Sequence, residues 1–285
     1  QAEDGIRDLA SCLVGSEMCI RDSIDSDGEN LTRLTRNNSM TTSPTWSPDG
    51  QRIAFASWKT GVPRIYEIDR FGTELRMLPP VRGAGDYITP TYHPNGTTLA
   101  FTVLGSDNQS GIFTYDLEQE CCLSFLSGGP WYDVSPTYSS DGRWLAFNTL
   151  RFGDNVPQVM MMPAEGGAAE TLSPYSYGSG GFYAAPDWSP HGDLVAFHGR
   201  IDRRGRYHIL VANLEDGGRV LRQLTQEGNN EAPSWAPDGR HLVFVGERSW
   251  GFGLMIADAT TGKIRSLLGG RRVDLPDWSP AMPPS

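Results

Sequence analysis

The sequence predicts an all-β fold: a six-bladed β-propeller of four-stranded blades, with the last blade split between the termini and incomplete. Three observations predict it. A turn-and-strand phrase recurs along the chain, its spacing falls in the range of one propeller blade, and the composition is that of many short strands joined by turns. Of 285 residues, 33 are Gly and 20 are Pro, while 38% are hydrophobic. Such a chain can bury a core, and its abundant turn residues favour short strands over long helices.

The recurring phrase is Pro-x-aromatic-Ser-Pro-Asp-Gly followed by an alternating apolar run. It reads SPTWSPDGQRIAFAS from Ser43, TPTYHPNGTTLAFTV from Thr89 and SPTYSSDGRWLAFNT from Ser135. It returns as APDWSPHGDLVAFHG from Ala185 and APSWAPDGRHLVFVG from Ala232, with a final partial LPDWSP from Leu275. The leading prolines, Pro44, Pro90, Pro136, Pro186, Pro233 and Pro276, are spaced by 46, 46, 50, 47 and 43 residues. A strand-rich period of about 40–50 residues marks propeller blades.

Within each repeat four strands are expected. Strand A is the Pro-x-aromatic segment. The turn after it, as in Ser47-Pro48-Asp49-Gly50, has Pro to preset φ, Asp to bond the turn backbone and Gly to take positive φ. Strand B is the Ala-Phe run, strand C follows a polar loop, and strand D is a short Leu-Thr type segment. The aromatics Trp46, Tyr92, Tyr138, Trp188, Trp235 and Trp278 hold one repeated position and are expected to pack between neighbouring blades.

These residues resemble the WD40-like (PD40) repeat of the TolB propeller family, over about Ile24 to Pro280. The partial LPDWSP supplies an A strand, and Ile24–Thr35 reads as the end of a C strand plus a D strand, so the closing blade joins both ends of the chain. Strand B and most of C of that blade are expected to be missing. The expected organisation is therefore residues 1–23 as a non-native or disordered segment, 24–280 as the propeller and 281–285 as a Pro-rich tail. The segments Ala2–Asp8 and Leu13–Ser23 resemble translated sequencing-adapter text of the kind found in metagenomic gene predictions, which points to a lost gene start.

Charge and motifs bear on function. The formal net charge of -10 disfavours nucleic acid as a partner, and no apolar run has the length of a membrane span. No Gly-x-Ser-x-Gly, His-Glu-x-x-His or phosphate-binding loop is present, so no catalytic residue, metal ligand or cofactor is assigned. Asp25-x-Asp27-Gly28 matches only the start of a calcium loop and coincides with a C–D turn. His93 and His191 sit at repeated turn positions, which favours a structural role. The adjacent Cys121 and Cys122 are expected to be packing residues facing opposite sides of a strand.

The D–A and B–C loops should share one face, and loops on a rigid ring are where binding residues collect. The partner-binding candidates are Trp131, Tyr132, Phe182, Tyr183, Trp58 and Trp250, with Arg272 as a polar anchor. Aromatics flanked by Asp, Asn and Arg have the composition of binding hot spots. Against this, Tyr87, Tyr132 and Tyr183 also suit burial beneath the loops. The resemblance implies a non-catalytic, monomeric scaffold of the bacterial cell envelope, periplasmic or otherwise exported, that docks a protein or peptide such as a peptidoglycan-associated lipoprotein. Two other readings are the sensing module of a larger signalling protein and the propeller of a prolyl-oligopeptidase-type peptidase.

Overall fold

In a computed structural model the described residues are 9–14, 19–35, 39–80, 85–105, 110–153, 156–174, 181–201, 204–215, 220–270 and 273–281. Their strands begin with β1 (Leu9–Val14), β2 (Cys19–Ile24) and β3 (Thr32–Arg33). The first blade is β4 (Thr41–Trp46), β5 (Arg52–Ser57), β6 (Arg64–Asp69) and β7 (Leu75–Met77). The second is β8 (Asp86–Tyr92), β9 (Thr98–Leu104), β10 (Ser110–Asp116) and β11 (Cys121–Gly128). The third is β12 (Asp133–Tyr138), β13 (Trp144–Thr149), β14 (Gln158–Pro163) and β15 (Glu170–Thr171). The fourth is β16 (Phe182–Trp188), β17 (Leu194–Arg200), β18 (His208–Asn213) and β19 (Val220–Gln223). The fifth is β20 (Asn230–Trp235), β21 (His241–Arg248), β22 (Gly251–Asp258) and β23 (Ile264–Leu268), and β24 (Val273–Trp278) follows.

The expected blade count and closure need correction. Five four-stranded blades, not six, are self-contained units of consecutive antiparallel strands. The remaining sheet is a composite with the order β24-β1-β2-β3, and it has all four strands rather than being incomplete. Strand β1 pairs with both β24 and β2, so Leu9–Val14 and Cys19–Ile24 take the B and C places expected to be empty. The sequence showed no period in this segment because its strand pairing is decided by the open edge of β24, not by its own pattern. Residues 282–285 of the expected tail lie outside the described residues.

Each blade is built the same way. The B strands are apolar on both sides because both faces of a blade pack against neighbours. Phe55, Phe101, Phe147, Phe197 and Phe244 are fully buried, each next to a buried small or β-branched residue. The six A-strand aromatics are likewise buried, and Trp46, Tyr92, Tyr138, Trp188, Trp235 and Trp278 fall into separate interblade clusters. The A–B turns follow the sequence chemistry: Ser47 Oγ donates to Asp49 Oδ1 at 2.6 Å, Gly50 N donates to Ser47 O, and Gly50 has φ 66°. His93 and His191 reach the next blade's turn, at Gly142 O (3.1 Å) and Asp238 O (3.2 Å).

A feature the sequence did not suggest is a bulge in every A strand. The residue before each leading proline, Ser43, Thr89, Ser135, Ala185, Ala232 and Leu275, has φ between 47° and 54°. In all five blades the A–B ladder loses register at this point. Proline has no N–H to give the ladder, and a bulge absorbs that gap. Left-handed backbone costs a non-Gly residue about 1–2 kcal/mol, so packing around the axis must hold these six residues in place.

Neighbouring blades are tied by polar contacts as well. Asp277 Oδ2 accepts from Trp46 N at 2.7 Å, joining β24 to the first blade, and Asp187 Oδ2 accepts from Trp235 N at the same distance. On the outer strands Arg222 donates to Ala259 O, Arg265 to Ser26 O (2.7 Å), and Arg76 pairs with Glu120 (3.6 Å), each reaching the next blade's C–D turn. Arg76 also pairs with Glu67, which is buried and accepts from the Tyr92 hydroxyl. A second correction concerns Cys121 and Cys122, which are joined by a disulfide rather than packed on opposite faces. Cys122 has φ 69°, so alternation along a regular strand does not apply to it.

Candidate functional site

The ends of the A, B and C strands bring the D–A and B–C loops to one face. Several large apolar side chains are exposed there. Ile201 is 72% exposed, Trp250 45% and Phe252 41%, and Met40 and Val62 are exposed beside Trp58. Trp250 sits at the tip of the β21–β22 hairpin, over two glycines: a Cβ on Gly253 would meet its ring at 2.9 Å. Trp58 is half-buried, and its backbone N–H donates to Met40 O at 3.0 Å.

On the third blade Trp131 and Tyr132 are both half-buried. The Arg151 guanidinium lies over the Trp131 ring, 5.3 Å from its centroid. Arg151 is held by Asp133, which has no exposed surface and also accepts from Ser127 Oγ (2.5 Å) and Thr149 Oγ1 (2.6 Å). A buried carboxylate with three donors is fully satisfied, so this cluster stiffens the loop root rather than offering a reactive group.

On the fourth blade Phe182 is half-buried, while Tyr183 is 3% exposed and packs on Phe197. Tyr183 fits there because residue 199 is Gly: a Cβ at that position would stand 2.3 Å from its ring. Phe182 instead joins His198 (5.8 Å between centroids) and Tyr207 (5.1 Å). Arg200 covers this cluster, 4.8 Å from the Tyr207 centroid and 5.7 Å from that of Phe182. Enclosure by the rings strips water from His198 and pushes its pKa down to about 4, so it is neutral at pH 7. His198 Nδ1 accepts from Ala232 N at 3.3 Å.

The structure thus divides the sequence candidates. Trp131, Tyr132, Phe182, Trp58 and Trp250 have surface at the loop face, whereas Tyr183 belongs to the core beneath it. Arg272 lies outside the described residues. The sequence reading passed over Arg151, His198, Arg200 and Tyr207. Arg200 and Tyr207 do border polar loops, but their convergence on Phe182 comes from strand register across β16, β17 and β18, which one repeat cannot reveal.

Below the loop face the A strands line the channel, with Asp187, Ser234 and Asp277 in its wall. Desolvation in that wall raises the Asp187 pKa to about 7, despite lowering hydrogen bonds from the Trp235 N–H, Thr137, Ser234 and the Trp188 N–H. Glu231 is also pushed up, by burial and then by Asp274 and Glu247 beside it. Among the described residues no group of three or more His, Cys, Asp or Glu is placed to hold a metal ion. Asp25 and Asp27 spend their carboxylates on their own turn, accepting from Asn30 Nδ2 (2.7 Å) and Glu29 N (2.9 Å).

The family model described as the TolB beta propeller domain matches residues 18–282, almost the whole described chain. The chain belongs to the TolB β-propeller family. A Tol-Pal system protein TolB from Bordetella pertussis is 29% identical over 259 residues, which is 90% of this chain and 56% of that protein. A TolB homolog from Chlorobium luteolum is 33% identical over 137 residues, 48% of this chain and 29% of the homolog. The chain therefore spans about half or less of the curated TolB relatives it matches. Crystalline TolB from Acinetobacter baumannii superposes with a TM-score of 0.78 at 24% identity, covering 96% of this chain and 67% of that one. The fold is shared beyond TolB: a puromycin-hydrolysing peptidase from Mycobacterium tuberculosis has a TM-score of 0.64 at 17% identity, covering 93% of this chain and 44% of the peptidase.

Proposed function

We propose that this chain is a non-catalytic, monomeric docking scaffold of the bacterial cell envelope. It binds a protein partner on its loop face, in a Tol-Pal-type role, in the periplasm or another exported compartment. The observation that carries this reading is the loop face itself. It exposes Trp250, Phe252 and Ile201 at its B–C loops, and the root of the Trp250 hairpin is fixed by Arg248, which donates to Asn230 Oδ1. Rigid, exposed aromatics cost little entropy when a partner covers them. The family membership and the Tol-Pal relative support the same reading, and the partner chemistry they suggest is that of a peptidoglycan-associated lipoprotein.

The test is calorimetric titration of this chain with the soluble domain of the Bordetella pertussis peptidoglycan-associated lipoprotein. Saturable 1:1 binding is expected, weakened about tenfold or more by Phe182→Ala or Trp250→Ala, the range of a hot-spot residue. Circular dichroism should show both variants folded. No binding by the intact chain, or full affinity in both variants, would overturn the reading.

A further inference from the structure

Three arginines that border the loop face are consumed by the protein's own acceptors. Arg64 pairs with Asp86 (3.3 Å), Arg151 with Asp133 (2.5 Å), and Arg248 donates to Asn230 Oδ1 (3.1 Å) and to the Glu227 and Glu247 carbonyls. Arg151–Asp133 and Arg248–Asn230 are equivalent pairs, since Asp133 is aligned with Thr149 and Asn230 with Gly246, each two residues before its arginine. In the fourth blade this pattern is broken. Ile201 stands where the paired arginine would be, Tyr183 where its acceptor would be, and the cation is moved one residue back to Arg200, which is aligned with Phe182.

The shift changes what the guanidinium can do. The Arg200 guanidinium stands over the Tyr207 and Phe182 rings, and its Nε is sealed from solvent with no acceptor among the described residues. It forms no ion pair with a described residue. The two rings hold the cation in place, and cation–π attraction strengthens where water is excluded. Beside it stands Ile201, 72% exposed. The chain as a whole carries a charge of -10, which opposes a polyanion but not one local carboxylate set on one local cation.

We propose that Arg200 is the receptor for a carboxylate presented by the docking partner, an Asp or Glu side chain whose apolar stem packs against Ile201. This inference rests on the docking reading above and adds the chemistry of one contact. The two Nη groups would take the carboxylate, while the rings hold the cation in place without paying the ordering cost at the moment of binding. Lysine cannot replace it, because an ammonium presents no planar fork to a carboxylate.

The experiment follows the Arg200 Nε–Hε resonance of the ¹⁵N-labelled chain, assigned by its loss in Arg200→Lys. Propionate is the probe, with N-methylpropionamide and matched chloride as controls. A saturable shift with propionate alone is expected. No shift, or an equal shift with chloride, overturns the receptor whatever the partner is. In parallel, the lipoprotein domain is titrated against Arg200→Lys and Arg200→Gln, where about tenfold weaker binding is expected with an unchanged Tm. Full affinity in both variants overturns the receptor while leaving docking intact. A propionate shift without lipoprotein binding keeps the receptor and removes the lipoprotein.

Discussion

At the scale of single residues, position in the ring decides what each ionisable group does. Asp187 and His198 illustrate this with opposite signs. Asp187 has its pKa raised to about 7, so between pH about 4 and 7 the folded chain holds a proton that the unfolded chain has released. Its effect is to lower stability as pH rises through that window. His198, held down to about 4, does the reverse: the unfolded chain takes up the proton first, and stability falls as pH drops below the ordinary histidine range. The two effects oppose each other between pH 4 and 6.5, so the whole chain's profile hides both. Asp187→Asn removes only the first. The difference in unfolding free energy between variant and parent, measured by urea titration, should shift in the variant's favour as pH rises from 4 to 7, by no more than ~1.4 kcal/mol per pH unit. A difference independent of pH would show that Asp187 keeps its charge in the channel wall.

At the scale of elements, the repeat made most of the chain legible and the exceptions were physical. Pro-x-aromatic located strand A in all five blades, and Ala-Phe, or Val243-Phe244 in the fifth, located strand B, because turn chemistry and burial on both faces leave a direct mark on sequence. The bulge before each proline left no such mark: residues as different as Ser43, Thr89 and Leu275 take the same left-handed backbone. Strands β1 and β2 were invisible because an edge recruits them. Of the binding candidates, Phe182 and Trp250 were legible as loop aromatics, whereas Arg200 was not, since its meaning lies in two rings brought to it from β16 and from the loop just before β18. The disulfide between Cys121 and Cys122 depends on a local backbone that the sequence does not announce. Strand β24 tests the role of the composite sheet. It pairs with β1, buries Trp278 and links to Trp46 through Asp277. Deleting Leu275–Pro280 removes a buried Trp, worth about 3–5 kcal/mol, and should lower Tm by about 10 °C or more in a calorimetric scan. An unchanged Tm would mean that the ring does not close through this strand.

At the scale of the whole molecule, the architecture separates the stiff face and rim from the loop face proposed for docking. Buried aromatics, A–B turns and outer arginine clasps hold the blades from one face and the rim. The opposite face is left to the loops, where exposed apolar residues alternate with arginines already paired or still open. Closure through the composite sheet matters to this arrangement, since an open ring would leave a strand edge available for unwanted pairing. The most direct test is hydrogen–deuterium exchange on the intact chain with and without the lipoprotein domain, followed by peptide mass. Slowed exchange should appear in the B–C hairpins around Ile201 and Trp250 and in the loop root at Trp131 and Tyr132, with the A–B turns at Gly50, Gly142 and Gly239 unchanged. Protection confined to those turns would place the partner on the other face and contradict the account.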